Sequence, residues 1–280
     1  MMQTSPTTAT PGPPPYPPGH RLLQGKTVLI TAAAGTGIGF ATAKRCLEEG
    51  ATVFVSDIHE RRLREVVARL EAIGKLEAIA KPEAAGRVVS GSLPCDVTRE
   101  SDVRALVTTA LSTMGRIDVL VNNAGLGGSA AIVDMTDEQW SKVLDVSLTS
   151  VFRMTRAVLP HMYERRSGAI VNNASVLGWR AQALQAHYAA AKAGVMAFTR
   201  CAAVEAAEHA VRVNAVAPSI AMHEFLGRVT RDELLVELQQ REAFGRTAQT
   251  WEVANVIVFL ASELASYMTG EVVSVSSQRA

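Results

Sequence analysis

The stretch TVLITAAAGTGIG, residues 27–39, runs from a short β-branched and aliphatic segment into a glycine-rich turn that opens a segment of helical period. Glycines there let the backbone approach an anion closely, and a helix N-terminus offers free N–H groups and the positive end of a dipole. Gly35, Thr36, Gly37 and Ile38 are the candidate contacts to a pyrophosphate. Alone, such a turn also fits other α/β proteins. About twenty residues further on, the next apolar run ends in Val55, Ser56 and Asp57. An acidic side chain at that place takes the two ribose hydroxyls of an adenosine and repels a 2′-phosphate, which favours NAD over NADP. Arg61 and Arg62 follow on a segment of alternating charge and read as solvated.

Outward from this turn, apolar runs alternate with helical stretches to the end of the chain. Helices are expected near 37–49, 60–72, 100–114, 137–163, 187–208 and 251–261, with a polar helical segment reaching Glu242. Between them lie TVFVS, RVVSGSLPCDV, IDVLVNN, GAIVNNAS, VRVNAVAP and EVVSVS. Strands that are apolar throughout and separated by helices pair in parallel with both sheet faces covered. The expected fold is therefore α/β: one doubly wound Rossmann-type domain over 21–280, with about seven parallel strands and right-handed crossovers. Residues 73–86, with Pro82 and two glycines, read as a long surface connection. Seven of the eleven prolines fall in the first twenty residues, which read as a disordered, polyproline-like tail.

The chain of 280 residues is 48% hydrophobic and 20% charged, enough to bury a full core without metal or disulfide. Lys plus Arg (28) nearly balance Asp plus Glu (27), so no global field draws it to nucleic acid or an acidic membrane. Cys46, Cys95 and Cys201 are widely spaced, with no Cys-x-x-Cys pair and no zinc pattern, which implies a reducing cytoplasm and no metal. The uncharged run 27–43 is too short and too rich in glycine for a membrane span, and no secretory signal is expected.

Tyr188 and Lys192 stand four apart in HYAAAKAG, so on a helix both emerge on one face. An ammonium near a phenol favours the phenolate and makes a usable general acid and base. Ser175, thirteen residues earlier, ends the apolar run GAIVNNAS at the sheet edge where ligands of such folds bind. These residues, with the glycine-rich turn, Asp96 in CDV, Asn122-Asn123-Ala124-Gly125 and the segment 214–218 (NAVAP), resemble the short-chain dehydrogenase/reductase family from about Gln24 to Val275. The resemblance implies that Ser175 polarises a substrate carbonyl, that Tyr188 gives or takes the proton, and that Lys192 tunes Tyr188 and holds the nicotinamide ribose. It also implies that Asp96 and Val97 flank adenine and that Asn123, Ala124 and Gly125 lie along the cofactor. Pro218 would begin the loop beside the nicotinamide, which runs on through Ala221. The chain departs from the family at Ser147, where an asparagine usually supports a relay water that the shorter serine is expected to bind as the fourth catalytic residue, and at Ala32-Ala33, Ser219, His223 and Ser276-Ser277-Gln278.

TAAAGTGIG, DVSLTSVF, NNASVLGWRAQ, APSIAMHEF and SVSSQ together look similar to a narrow actinobacterial subgroup of that family. That subgroup interconverts a ring hydroxyl and ketone on a bicyclic indanone-type CoA thioester from steroid breakdown. Trp179 and Arg180 after Ser175 suit an apolar ring and an anionic group, or else packing and a surface charge. Met222, Phe225 and Leu226 suit a cover over a bulky apolar substrate. His187 points about 100° away from Tyr188, towards a structural or substrate-facing role. A 3-oxoacyl-thioester reductase and a catalytically silent NAD(H) sensor are the alternatives. By resemblance, the long helices pair subunits into a homotetramer or homodimer.

Overall fold

The computed structural model describes residues 12–80, 89–224, 226 and 232–277. Its seven-stranded sheet comprises β1 (Thr27–Ile30), β2 (Thr52–Asp57), β3 (Val89–Pro94), β4 (Val119–Asn122), β5 (Gly168–Asn173), β6 (Val211–Pro218) and β9 (Val272–Val275). They lie in the order β3-β2-β1-β4-β5-β6-β9, and every pairing is parallel. A separate two-stranded ribbon joins β7 (Ala221–Met222) to β8 (Ala248–Gln249) just beyond the end of β6. This is the doubly wound architecture expected, with the direction of winding reversing between β1 and β4.

Alternation along the strands sends successive side chains to opposite faces. Val28, Ile30, Val53, Val55, Val119 and Val121 pack into one core, against α1 (Ile38–Glu48), α2 (Glu60–Ala80) and α8 (Thr250–Ala261). Leu29, Phe54, Leu120 and Ile170 pack into the other, against α3 (Glu100–Met114), α5 (Ser150–Arg165) and α6 (Ala186–Ala207). α7 (Asp232–Gln240) lies between the two ribbon strands in the chain.

Three expectations change. The helix expected over 60–72 continues to Ala80, because IGKLEAIA is rich in strong helix formers and one internal glycine costs only about 1 kcal/mol; the rest of the expected connection, 81–86, lies outside the described residues. The long helix expected over 137–163 is interrupted: α4 (Asp137–Leu144) passes through a wide π turn, Asp145–Thr149, before α5 begins. The third change is at the N-terminus.

Residues 1–11 of the expected tail lie outside the described residues, but from Tyr16 the segment is packed on α1 rather than free. Arg45, buried in α1, donates to the carbonyls of Pro17 (2.7 Å) and Pro18 (3.0 Å) and pairs with Glu49 at 2.6 Å. Glu49 accepts the N–H groups of His20 and Leu22. The Tyr16 hydroxyl bonds Glu48, and its ring meets Trp251 of α8 edge-on and Lys44 across its face. Prolines suit this role because their carbonyls accept while they need no partner for an N–H.

Removing residues 1–18 strips two acceptors from a buried guanidinium, so the melting temperature should fall by about 5–10 °C. An unchanged melting curve would show the strap to be ornamental.

Candidate active site

The carboxyl ends of β1, β4 and β5 are tied together by side chains. The Thr31 hydroxyl accepts the N–H groups of Asn123 (3.0 Å) and Ala124 (3.2 Å). The Asn123 amide donates to the carbonyls of Thr31 (3.2 Å) and Ala32 (2.9 Å), closing the glycine-rich turn from beneath. Deeper, Asn122 donates to Asn172 (2.9 Å) and Thr155, and Asn172 donates to Thr199 of α6. Thr31, Asn122, Thr155, Asn172 and Thr199 are buried and Asn123 is partly so, and each bond compensates a desolvated group.

The turn itself is shaped for close approach. Gly35 has φ +102, and Ala32 takes a left-handed φ of 51. A Cβ on Gly39 would collide with the Ala32 carbonyl and the Asn123 amide, so only glycine lets α1 lie this near the strand end. Gly37 precedes α1 as its cap residue with no side-chain cap bond, and the first turn has no acidic residue, which leaves Thr36, Gly37 and Ile38 at an electropositive helix end. His223, in the place the resemblance gives to a threonine, stands where a Cβ on Gly37 would meet its ring at 3.9 Å, and its Nδ1 accepts the Leu226 N–H. Burial lowers the pKa of His223, keeping the ring neutral.

Asp57 is buried at the end of β2, accepting N–H bonds from Ala34 (3.1 Å) and His59 (2.9 Å). Burial raises its pKa, while the Ala34 bond and nearby Arg62 pull it down. Arg62 thus lies near enough for its charge to act on the carboxylate, whereas Arg61 is an exposed partner of Glu65. Asp96 folds its carboxylate onto Thr98 at the start of α3, and Val97 joins the core beneath.

Ser175, Tyr188 and Lys192 converge as expected. The Tyr188 hydroxyl shares a hydrogen bond with Ser175, and Lys192 lies one turn on, its Nζ 5.5 Å from the Tyr188 ring centre. Lys192 is buried and donates to the Asn173 carbonyl at 2.6 Å. The expected electrostatics are reversed: burial raises the phenol pKa, with Ser175 pulling it back, and burial lowers Lys192 from 10.5 to about 8. The cause is burial, which disfavours the charged form of each group, while the ammonium bonds the Asn173 carbonyl.

Ser147 is buried inside the π turn, which swings it towards the loop after β4. Its hydroxyl accepts the Leu126 N–H (2.9 Å) and donates to the Leu126 carbonyl (3.0 Å). Its donor and one of its two acceptor sites are thereby committed to backbone. A Cβ on Gly125 would lie 3.4 Å from Lys192 Nζ and 3.9 Å from Ser147 Oγ, so the three meet. His187 is buried, accepts the Tyr188 N–H at Nδ1, and packs its Nε2 edge on Gly128; Gln185 bonds the Gly128 carbonyl. Trp179 is half-exposed after the short helical turn that follows Ser175, with Arg180 beside it; Met222 and Ala221 form β7 beyond Pro218. Phe225 lies outside the described residues. Thr31, Asn173 and the π turn were missed in sequence; the paired NNA of 122–124 and 172–174 on neighbouring strands was the available signal.

A family model described as enoyl-(acyl carrier protein) reductase matches residues 32–277. The chain is 60% identical, over 93% of its length and 95% of the relative, to (5R,7aS)-5-hydroxy-7a-methyl-1-oxo-2,3,5,6,7,7a-hexahydro-1H-indene-carboxyl-CoA reductase of Mycobacterium tuberculosis. It is 40% identical, over 90% of its length and 97% of the relative, to a 3-oxoacyl-[acyl-carrier-protein] reductase of Thermotoga maritima. A crystal structure of a short chain dehydrogenase from Mycobacterium smegmatis superimposes with a TM-score of 0.81 at 56% identity, covering 95% of this chain and 98% of the other.

The low pKa of Lys192 has a signed consequence for stability. Below pH 8 the lysine is charged in both folded and unfolded chains; between about 8 and 10.5 the unfolded chain holds more protons, so stability rises with pH. The rise should amount to roughly 2–3 kcal/mol. Urea titrations at pH 7.5, 9 and 10 should show it in the parent and not in Lys192→Met; parallel curves for the two proteins would contradict it.

Proposed function

The chain belongs to the short-chain dehydrogenase/reductase family, and from that premise we propose that it is an NAD(H)-dependent oxidoreductase interconverting a secondary alcohol and ketone on a bicyclic, steroid-derived CoA thioester. The observation that carries the substrate is the 60% identity, end to end, with a reductase named for such a thioester. The second reading, a 3-oxoacyl-thioester reductase, rests on the more distant 40% identity.

The residues fit a dinucleotide. Gly39 permits the approach of α1, its uncapped start presents N–H groups to a pyrophosphate, and Asp57 offers a buried carboxylate to ribose hydroxyls. In this reading Gly35, Thr36, Gly37 and Ile38 hold the pyrophosphate, Asp96 and Val97 border the adenine, and Asn123, Ala124, Gly125, Pro218 and Ala221 line the rest. Asp57 disfavours a 2′-phosphate, hence NAD. When bound, the cofactor supplies or accepts the hydride.

Ser175 and Tyr188 bond the same substrate oxygen. In reduction the Tyr188 hydroxyl protonates that oxygen; in oxidation the phenolate removes its proton. Lys192, released from the Asn173 carbonyl, favours the phenolate and grips a ribose hydroxyl. Ser147 holds the loop that carries Gly125, and Trp179, Arg180 and Met222 border the substrate. Half-exposed Trp140 of α4 and Phe152 of α5, with exposed Val204 of α6, support pairing of these helices in a homotetramer or homodimer. The cysteines are free, consistent with a cytoplasmic setting, and none of the described helices is long and apolar enough to cross a membrane.

The test is turnover with NADH and NADPH against bicyclic ring-ketone and straight-chain 3-oxo CoA thioesters. NADH with the bicyclic set should be preferred by about tenfold or more; NADPH with straight chains would install the second reading. Tyr188→Phe should lose at least a hundredfold in turnover while binding NADH normally, and a fully active variant would remove Tyr188 from the chemistry. Since burial keeps the phenol protonated at neutral pH, reduction should be flat from pH 6 to 8 while oxidation climbs with pH.

A further inference from the structure

Asn173 ends β5, two residues before Ser175, and its two halves serve different neighbours. Its main-chain carbonyl accepts the Lys192 ammonium at 2.6 Å. Its side-chain Nδ2 donates to Asn123 Oδ1 at 3.0 Å. The Asn123 amide nitrogen is already committed to the carbonyls of Thr31 and Ala32. That commitment fixes which end of each amide is which: Asn123 must present oxygen to Asn173, and Asn173 must answer with nitrogen. The Asn173 Oδ1 is then turned away from Asn123. It is shielded from solvent and has no hydrogen-bond partner among the described residues.

A buried amide oxygen left without a donor costs about 1–3 kcal/mol, and such a group persists where something else completes it. The surroundings say what that is. On one side stands Asn123, which underpins the glycine-rich turn; on the other stands Lys192, whose Nζ also neighbours Gly125. Asn173 therefore joins the parts assigned to cofactor binding and to proton transfer, with its side-chain oxygen uncommitted to either.

We propose that Asn173 is a positioning residue whose side-chain oxygen accepts a donor from the nicotinamide half of the bound cofactor, coupling occupancy of that half to the placement of Lys192. The inference rests on the cofactor reading given above. A hydroxyl of the second ribose and the carboxamide N–H are the donors that half carries. Accepting either would draw on the same residue whose carbonyl restrains the lysine, so cofactor arrival and release of the ammonium act on one strand end. The bond to Asn123 keeps the amide from rotating to serve the wrong atom.

The test compares the parent with Asn173→Val, which keeps the main-chain carbonyl and removes both amide atoms, and Asn173→Asp, which keeps the acceptor. NADH and ADP dissociation constants are read by fluorescence quenching and calorimetry; ADP lacks the nicotinamide half. Asn173→Val should weaken NADH about tenfold and leave ADP within about twofold. Asn173→Asp should recover much of the NADH affinity while moving the alkaline limb of the reduction rate upward, because a carboxylate beside Lys192 holds its proton more firmly. Equal losses for NADH and ADP, or a valine variant that binds NADH like the parent, would overturn the proposal. A parent that binds neither nucleotide would instead refute the cofactor reading itself.

Discussion

All seven strands of the main sheet run the same way, and this single constraint organises the rest of the molecule. Parallel neighbours need a crossover each, so helices must cover both faces and every strand must be apolar on both sides. It also brings every strand's carboxyl end to one edge, where the unpaired backbone groups need partners. The protein answers with side chains: Thr31, Asn122, Asn123, Asn172 and Asn173 stitch the ends of β1, β4 and β5 to one another and to the helices behind. Residues far apart in the chain, from the glycine-rich turn to Lys192, thereby share one rigid rim.

That rim explains why the two titrating groups of the site deviate from their ordinary values. Tyr188 and Lys192 sit against packed strand ends and not in open water, and desolvation dominates both. The phenol is held protonated and the amine is made easier to deprotonate. A site in this condition is set to deliver a proton, and it needs a further charge or hydrogen-bonding group to reverse the bias.

Much of this was legible in the sequence because it depends on local chemistry. Glycines opening a helix, an aspartate ending a strand, and Tyr and Lys one turn apart each carry their own reason, and all fall at the expected sheet edge. What escaped depends on contacts between distant segments. A proline-rich stretch looks mobile until Arg45, buried 28 residues away, is seen to need its carbonyls. Ser147 looks like a shortened asparagine until the π turn is seen to aim it at the Leu126 backbone. Asn173 looks like one more polar residue until its partners on two other elements are known.

The wide turn between α4 and α5 acts as a phase shifter. A helix that carries one extra residue in a turn rotates everything beyond it by about 100° relative to what precedes it. α4 and α5 are nearly continuous, yet Val143 before the turn packs near Gly128 while Met154, Val158 and Met162 after it fill the core beneath the sheet. A uniform helix could not offer both faces at once. Ser147 thus occupies the joint of a rod whose two ends obey different neighbours, and a one-residue deletion there would be harsher than most substitutions in the core.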